Sequence, residues 1–374
     1  DHGDLATNIA LQLAKQLKKR PRDIAEAIRS ELHGLLGDSY SVEVAGPGFI
    51  NVRLPTNVLT EVLDDILTSG AAFGSSEDGQ GHRVNVEFVS ANPTGPLHVG
   101  HGRGAALGDA IASLLEATGH EVTREFYVND AGVQIDKFAE SVWVRIQEAR
   151  GRAAEIPEGG YHGEYVTDLA RAILEQEGED FADLPVNEGL DRCREMAVAN
   201  QRQEQDRDLE EFGVRFDVVF RETETYERQL LEETLRELTS RGLTYEKDGA
   251  LWFKTMEFGD EKNRVLKKSD GTFTYLMPDV AYHRDKADRG FVRAIDVWGS
   301  DHHGYVPRMT AAMKALGYGE KFFEAQLVQF VRVMRDGQEL KVSKRAGTFV
   351  TLRDLVEIAG VDAARYFFLM RKGD

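Results

Sequence analysis

Residues 91–101 read Ala91-Asn92-Pro93-Thr94-Gly95-Pro96-Leu97-His98-Val99-Gly100-His101. A largely apolar run, Val84 to Val89, precedes them and predicts a buried strand, and the small residues from Gly102 onward predict a closely packed helix. This turn places two histidines at a helix N-terminus, where backbone N–H groups and the positive end of the helix dipole favour anions. The pattern predicts a phosphate-binding turn between a strand and a helix.

Taken alone, a His-x-x-His pair has three interpretations: incidental histidines, metal ligands or phosphate contacts. The strand, turn and helix around His98 and His101 favour phosphate, because doubly wound sheets bind nucleotides in such a crevice. A second, distant element is Lys341-Val342-Ser343-Lys344, on a predicted loop between Arg335 and Thr348. Alone, this tetrapeptide is typical of a solvated loop, so its meaning depends on the histidine turn.

The composition indicates a globular protein long enough for two or three domains, with 374 residues, 41% of them hydrophobic. A net charge of −18 argues against indiscriminate nucleic-acid binding, but it allows a specific RNA partner that uses local patches. No apolar run approaches the ~18 residues of a membrane span, and no membrane partner is expected. The single cysteine, Cys193, fits a reducing cytoplasm and predicts no structural zinc.

Residues 1–78 are predicted to form a small α+β domain. Leu5, Ile9, Leu13 and Leu17 recur at helical spacing, and Pro21 is expected to end this helix. The further predicted elements are a helix at 23–36, strands at 41–44 and 49–54, a helix at 58–67 and a glycine-rich linker at 74–81.

Residues 79–355 are predicted to form an α/β domain, a Rossmann-like doubly wound parallel sheet. Its predicted elements are strands at 84–89, 121–128, 292–298 and 326–333, a helix at 98–118 and hairpin turns at 247–249 and 269–271. From about 130 to 213 the chain is mostly helical, polar and acidic. This stretch is too long for one crossover connection and predicts a helical insertion.

With His98-Val99-Gly100-His101 and Lys341-Val342-Ser343-Lys344 in this order, the chain resembles the class I aminoacyl-tRNA synthetases, whose HIGH and KMSKS motifs these segments match. In that family a mobile lysine of the second motif neutralises charge on the triphosphate as pyrophosphate leaves. Val342 replaces the usual methionine, whereas Lys344 retains the lysine.

Two further segments resemble the arginyl-tRNA synthetases in particular. Glu87 to Pro93 is similar to the signature before their HIGH motif, and Tyr275 to Asp279 is similar to their Tyr-x-x-x-Asp segment. Carboxylates and a phenolic oxygen match the rigid fork of donors of a guanidinium group. By itself, Asp279 could also be only a helix-starting residue.

The resemblance implies the roles of the site residues. The residues implied as catalytic are His98, His101, Lys341 and Lys344. The residues implied as ATP-binding are His98, Gly100, His101, Gly299, Asp301, Ser343 and Lys344. The residues implied as arginine-binding are Glu87, Ser90, Asn92, Tyr275, Asp279 and His302. His302 stands where the family often carries glutamine, and no bound metal is expected in the protein itself.

The resemblance covers nearly the whole chain. It implies an additional N-terminal domain at 1–78 that contacts tRNA, a catalytic domain at 79–355, and at 356–374 the start of a helical anticodon-binding domain, truncated here. It implies a monomeric, cytoplasmic arginine–tRNA ligase with arginine, ATP with Mg²⁺, and tRNA as its partners.

Two other functions remain open on the sequence. A metal-dependent phosphoesterase could use His98, His101 and the triplet Asp301-His302-His303, but it needs further aspartates near strand ends. A non-catalytic tRNA-binding paralogue would not need both the histidine and the lysine motifs.

Overall fold

The computed structural model describes residues 3–329, 331, 333–335, 338–340 and 350–371 of the chain. They form two compact units, and the division falls between Ser75 and Ser76. Among these residues, no helix combines the length and the apolar character needed to cross a membrane.

The first unit is a three-stranded antiparallel sheet with helices packed on it. Its elements are β1 (Leu5–Thr7), α1 (Ile9–Leu17), α2 (Pro21–Leu36), β2 (Ser41–Ala45), β3 (Phe49–Arg53) and α3 (Thr56–Ser69). The strand order is β1-β3-β2, and Ile24, Val42 and Ile50 lie in its small core. This confirms the predicted α+β class of the N-terminal region.

The predicted first residue of the first helix is wrong. Leu5 belongs to β1, where it pairs with Val52 of β3, and α1 begins only at Ile9. Backbone pairing outweighs the helical spacing of Leu5, whose side chain stays 58% exposed. Pro21 opens α2, in the first turn, where its missing N–H group costs nothing.

The second unit is an α/β fold with a five-stranded parallel sheet. Its strands are β4 (Arg83–Glu87), β5 (Glu121–Val128), β6 (Val218–Arg221), β7 (Thr244–Lys247), β8 (Ala250–Phe253), β9 (Arg264–Lys267), β10 (Arg293–Gly299), β11 (Phe323–Val328), β12 (Val333–Arg335) and β13 (Gln338–Leu340). Its helices are α4 (Val99–Ala117), α5 (Val133–Ala149), α6 (Glu164–Glu177), α7 (Val186–Glu211), α8 (Glu222–Glu227), α9 (Leu230–Ser240), α10 (Leu276–Asp288), α11 (Val306–Ala315), α12 (Leu352–Ala359) and α13 (Val361–Met370).

The parallel strands follow the order β11-β10-β4-β5-β6. The direction of strand addition reverses between β4 and β10, since β4 leads to β5 and β6 on one side and β10 leads to β11 on the other. Ligands of such sheets bind in the crevice at the carboxyl ends of the strands at this switch point. The predicted Rossmann-like doubly wound sheet is confirmed.

Two strand boundaries differ from the prediction. β4 ends at Glu87, because Val89 and Ser90 adopt left-handed backbone conformations with φ of 68° and 39°. β11 ends at Val328, where its pairing with β10 stops, and Val333 opens the separate hairpin of β12 and β13. The chain therefore leaves the sheet soon after Glu87, which places this carboxylate at the switch point.

Small residues let α4 lie close against the sheet. Gly108 faces Phe88, and a Cβ atom at position 108 would lie only 2.1 Å from Phe88 Cγ. Gly119 follows the helix with φ of 82°, a conformation that suits glycine. The predicted helix from His98 to Thr118 is confirmed, with His98 as its N-cap residue.

Helices α5, α6 and α7 lie between β5 and β6 in the chain and have a core of their own. This core contains Phe138, Trp143, Phe181 and the buried Cys193. The helices predicted between 130 and 213 are therefore confirmed.

Strands β7, β8 and β9 form a separate antiparallel sheet before α10. The turn between β7 and β8 contains Asp248 and Gly249, both with positive φ. After β9, a second tight turn brings Phe273 opposite Lys267. Both predicted hairpin turns are confirmed, and the second leads directly into α10.

Candidate active site

The turn at residues 91–101 joins β4 to the N-terminus of α4. The Nδ1 atom of His98 accepts a hydrogen bond from the Gly100 backbone N–H at 3.1 Å. The Nδ1 atom of His101 accepts one from the His98 backbone N–H at 3.1 Å, and the two rings stack with centroids 3.7 Å apart. Because both Nδ1 atoms accept, the hydrogen-bond donor of each ring is its Nε2 N–H group.

Side chains of the helical insertion support this turn. Gln205 of α7 donates from Nε2 to the backbone oxygens of Asn92 and Gly95, at 3.1 and 2.9 Å. The Tyr165 hydroxyl of α6 donates to the Thr94 oxygen at 2.9 Å. These bonds satisfy backbone oxygens in a segment outside regular secondary structure. The insertion therefore helps to fix the shape of the turn.

A cavity of about 350 Å³ lies at the carboxyl ends of β4 and β10, and it is called the amino-acid cavity after the predicted arginine contacts in its lining. Acidic, aromatic and imidazole side chains line it: Glu87, Tyr127, Tyr275, Asp279, Tyr282, His283, Asp296, Trp298, His302 and Tyr305. Four of the predicted arginine-binding residues are thus brought together, namely Glu87, Tyr275, Asp279 and His302. Carboxylates set among aromatic rings suit a cation with an apolar stem.

Asp279 lies in the first turn of α10 and lines the amino-acid cavity. Its carboxylate accepts a hydrogen bond from the Tyr305 hydroxyl. Burial raises the pKa of Asp279, although the hydrogen bond from Tyr305 acts in the opposite direction. A cation bound beside this carboxylate would favour its ionised form.

Glu87 and Asp296 are paired residues of the neighbouring strands β4 and β10. Lys286 lies between them, with Nζ 2.7 Å from Glu87 Oε2 and 3.0 Å from Asp296 Oδ1. Burial raises the pKa of Glu87 in spite of the neighbouring ammonium group. Burial also opposes the ionisation of Asp296, but Lys286 and His283 together hold its pKa at about 2.

Glu222 brings a further carboxylate to this region, and the sequence analysis missed it. It follows β6 at the carboxyl edge of the sheet and hydrogen-bonds Tyr127. Burial raises the pKa of Glu222, and the negative charge of Asp279 is the next cause. Its position directly after β6, a strand that was not predicted from the sequence, was the signal that could have found it.

The sequence analysis also missed His283, Lys286, Asp296 and Tyr305. His283 and Lys286 follow Asp279 by four and seven residues on α10, so helical spacing places all three on one face. This spacing was a signal in the sequence. Asp296 lies within a buried strand, and only the pairing of β10 with β4 places it beside Glu87.

Two further predicted arginine contacts, Tyr275 and His302, line the cavity, whereas Ser90 and Asn92 line a cavity beside it. Tyr275 is 89% exposed at the N-terminus of α10, although it lines the cavity. His302 lies in a short 3₁₀ turn after β10, and its Nδ1 atom is 3.2 Å from Asp301 Oδ1. Asp301 is exposed and does not line the amino-acid cavity.

Two further cavities adjoin the histidine turn. The one of about 150 Å³ is lined by Val89, His98, Gly100, His101, Gly104, Val297, Trp298, Gly299, Val328 and Gln329. The one of about 550 Å³ is lined by Val89, Ser90, Ala91, Asn92, Thr94, His98, His101, Gln134, Tyr161 and His302. Trp298 and His302 each line one of these and also the amino-acid cavity. The cavities bordered by four predicted ATP residues, His98, Gly100, His101 and Gly299, therefore adjoin the cavity lined by predicted arginine residues.

The predicted lysine-motif residues Lys341, Ser343 and Lys344 lie outside the described residues. The chain that follows them is paired with the histidine turn. The Leu352 backbone N–H donates to the Leu97 oxygen at 2.8 Å, and Thr351 forms an antiparallel bridge with His98. The segment after the lysine motif is thus anchored beside His98.

The crevice combines two different chemical environments. One end is an acidic, aromatic cavity for a cation, and the other is a helix N-terminus with two histidine donors for phosphate. This arrangement can hold a cationic molecule and a nucleoside phosphate close together at one sheet edge.

Comparison with known proteins agrees with this chemistry. Residues 62–367 match the family model of the class I tRNA synthetases (R), catalytic domain, and residues 1–54 match the arginyl tRNA synthetase N terminal domain. The chain is 47% identical to the arginine–tRNA ligase of Bacillus subtilis over 373 residues, which cover 100% of this chain and 67% of that protein. It is 48% identical, with the same coverage, to the arginine–tRNA ligase of Geobacillus kaustophilus.

The chain is also similar to solved structures of arginyl-tRNA synthetases. A putative arginyl-tRNA synthetase from Campylobacter jejuni superposes with a TM-score of 0.78 and 38% identity, over 86% of this chain and 70% of that one. The arginyl-tRNA synthetase of Thermus thermophilus shares the fold, with a TM-score of 0.69 over 99% of this chain and 69% of that one. On the family models and the identity over its full length, the chain belongs to the arginyl-tRNA synthetases, a family of class I tRNA synthetases.

Proposed function

We propose that this chain activates arginine with ATP and then transfers it to the 3′ end of a tRNA. The observation that carries the proposal is the acidic, aromatic cavity at the β4–β10 switch point, next to the histidine turn. The first reaction gives arginyl-adenylate and pyrophosphate, and the second gives arginyl-tRNA and AMP.

In the activation step, a carboxylate oxygen of arginine attacks the α-phosphorus of ATP. The bond from this phosphorus to the β-phosphate bridging oxygen breaks, and pyrophosphate leaves with that electron pair. No side chain has to form a covalent intermediate. The protein contributes positioning and electrostatic stabilisation, which are its main means of accelerating such transfers.

The proposed phosphate-binding residues are His98, His101, Lys341, Ser343 and Lys344. The Nε2 donors of the histidines and the α4 N-terminus would bind triphosphate oxygens. The lysines would neutralise charge on the departing pyrophosphate. Mg²⁺ carried by the triphosphate would share this charge.

Gly299, the last residue of β10, and Asp301, in the turn that follows, are the proposed nucleoside contacts. Gly299 and Gly100 line the smaller cavity at the histidine turn, where a missing side chain leaves room for a ring. Asp301 is the proposed partner of the ribose hydroxyl groups. Its exposed carboxylate lies in the 3₁₀ turn that follows the strand.

The amino-acid cavity is the proposed arginine site. Asp279 and Tyr275 would bind the guanidinium group, and Glu87 would bind the amino acid from the opposite wall. Ser90 donates to Glu87 Oε1 at 2.9 Å, so it also orients that carboxylate. Asn92 and His302 are the proposed further contacts near the reacting end.

In the transfer step, a hydroxyl group of the terminal ribose of tRNA attacks the carbonyl carbon of arginyl-adenylate, and AMP leaves. The proposed organisation around this step is an N-terminal tRNA-contacting domain at 1–78, a catalytic domain at 79–355 with its insertion at about 130–213, and a segment at 356–374 that begins the helical anticodon-binding domain. The proposed working form is a cytoplasmic monomer.

Pyrophosphate exchange into ATP, measured with each of the twenty amino acids in the presence of tRNA, tests the proposed function. We expect exchange with arginine, and a rate with lysine lower by roughly 10⁴ or more, because lysine leaves guanidinium-binding groups unpaired. Exchange that depends on another amino acid, or equally on lysine and arginine, would refute the proposed specificity.

A further inference from the structure

Lys286 is a fully buried lysine that none of the proposed steps uses. It lies near the end of α10, seven residues after Asp279. Its side chain is not part of the cavity lining, although Glu87 and Asp296, which it contacts, both are. Fully buried lysines are rare, and they require compensating charges.

The two carboxylates that contact Lys286 are each held at both oxygens. Ser90 Oγ donates to Glu87 Oε1 at 2.9 Å, while Lys286 occupies Glu87 Oε2 at 2.7 Å. On Asp296, His283 Nε2 lies 2.7 Å from Oδ2, and Lys286 lies 3.0 Å from Oδ1. The geometry leaves neither carboxylate free to rotate.

The place between these carboxylates suits a cation. Glu87, His283 and Asp296 offer ligand atoms within 4.8 Å of one another, as a metal site would. The Lys286 ammonium contacts the same two carboxylates and also lies 4.5 Å from the centroid of the Tyr282 ring. The protein therefore supplies the cation between these carboxylates from one of its own side chains. Two carboxylates share this one ammonium, and both of them also line the amino-acid cavity.

We propose that Lys286 is a positioning residue for arginine: its ammonium fixes the Glu87 carboxylate, in its ionised form, at the wall of the amino-acid cavity. The inference rests on the proposed function of that cavity. Lys286 does not touch the substrate and acts through Glu87. Without it, Glu87 would lose its main countercharge while staying buried among Asp296 and the other acidic groups.

A merely structural lysine would stabilise α10 against the sheet without changing arginine affinity. Arg289, the residue that directly follows α10, provides the matched control. It donates to both oxygens of the buried Glu125, at 2.7 and 2.8 Å. Neither Arg289 nor Glu125 lines the amino-acid cavity. Breaking this second buried ion pair should cost stability in a similar way.

Calorimetric titration of the full chain with L-arginine, and separately with ATP, tests the proposal. We expect Lys286→Gln to weaken arginine binding by about tenfold or more and to change ATP binding by less than about twofold. Arg289→Gln should lower the Tm but change the Kd for arginine by less than about twofold. A folded Lys286→Gln protein with wild-type arginine affinity, or an equal loss in both variants, would overturn the proposal.

A double variant keeps the proposal testable if Lys286→Gln alone does not fold. Glu87→Gln with Lys286→Gln removes one charge of each sign, so the unpaired buried charge is smaller. If Lys286 acts through Glu87, adding Lys286→Gln to Glu87→Gln should change the Kd for arginine by less than about twofold. Additive losses would overturn the proposal. A wild-type chain that binds no arginine would instead refute the function proposed for the cavity.

Discussion

Burial raises the pKa of three carboxyl groups around the amino-acid cavity, those of Glu87, Glu222 and Asp279. Glu87 has the ammonium of Lys286 beside it, whereas Asp279 and Glu222 resist ionisation while the cavity holds no cation, because they are withdrawn from water and close to other acids. A guanidinium group bound among them would supply the missing positive charge. At the scale of single residues, we therefore expect the proposed binding of arginine to be coupled to ionisation of the carboxyl groups around the cavity.

The raised pKa of Asp279 predicts that arginine binds more weakly as the pH falls. Only the ionised carboxylate pairs with a guanidinium, and the groups around it are Tyr305, His283, His302 and Asp296. Once the pH is below the raised pKa of Asp279, each further unit should increase the Kd for arginine by about tenfold. Calorimetry in buffers of different ionisation enthalpy should also detect proton release on binding. A Kd independent of acidic pH, with no proton released, would contradict this coupling.

The sequence predicted some of these residues and not others, for physical reasons. Glu87 and Asp279 lie in segments that resemble the family, and both line the cavity. Lys286 and Asp296 are buried charged residues. They can be recognised as part of the site only once the contacts of Lys286 with Asp296 and Glu87 are known. No local pattern reports such a pairing, because it arises from strand order and helix packing.

At the scale of elements, α10 forms one wall of the amino-acid cavity. Tyr275 at its N-terminus, then Asp279, His283 and Lys286, recur at intervals of four, four and three residues. This spacing places them on one face of the helix, against β4 and β10. His283 reaches Asp296 and Lys286 reaches Glu87, so the helix that carries the proposed arginine contacts also supports the strand residues.

The close approach of α4 to the sheet gives a prediction about stability. Gly108→Ala should destabilise the protein by about 1–3 kcal/mol, because the added Cβ would lie 2.1 Å from Phe88 Cγ. Gly104→Ala is the matched control on the same helix, since its Cβ would meet nothing within 4 Å. Alanine also favours a helix over glycine, so Gly104→Ala should leave the Tm unchanged or raise it. Urea unfolding would measure both, and equal effects of the two variants would rule out the steric explanation.

Elements with strong local signals were predicted well, and those defined by distant pairing were not. The helix after His98 and the strand from Glu121 to Val128 were placed correctly, because glycine residues and apolar runs mark where these elements begin and end. The strand at Leu5 was missed, since it exists only through hydrogen bonds to β3. In the same way, β11 ends where its pairing with β10 ends, which the apolar run beyond Val328 does not reveal.

At the scale of the whole molecule, strand order brings the distant parts of the site together. Glu87 on β4 and Asp279 on α10 line one cavity, and Glu222 after β6 hydrogen-bonds Tyr127 in its lining. The reversal of strand order between β4 and β10 opens the crevice, and the histidine turn lies at its edge. The chain spans 67% of the length of its curated Bacillus relative, and the crevice belongs entirely to the unit that begins at Ser76.

The measurement that tests the central claim most directly is arginine-dependent pyrophosphate exchange, in the presence of tRNA, by the Asp279→Asn variant. The substitution keeps the size of the side chain and removes the charge proposed to pair with the guanidinium. Losing such a buried partner costs about 2–5 kcal/mol, so kcat/KM for arginine should fall by about 30-fold or more while KM for ATP changes little. Asp288→Asn, on the same helix but outside the cavity, should behave as the wild type. Wild-type kcat/KM for arginine in Asp279→Asn would contradict the assignment of the cavity.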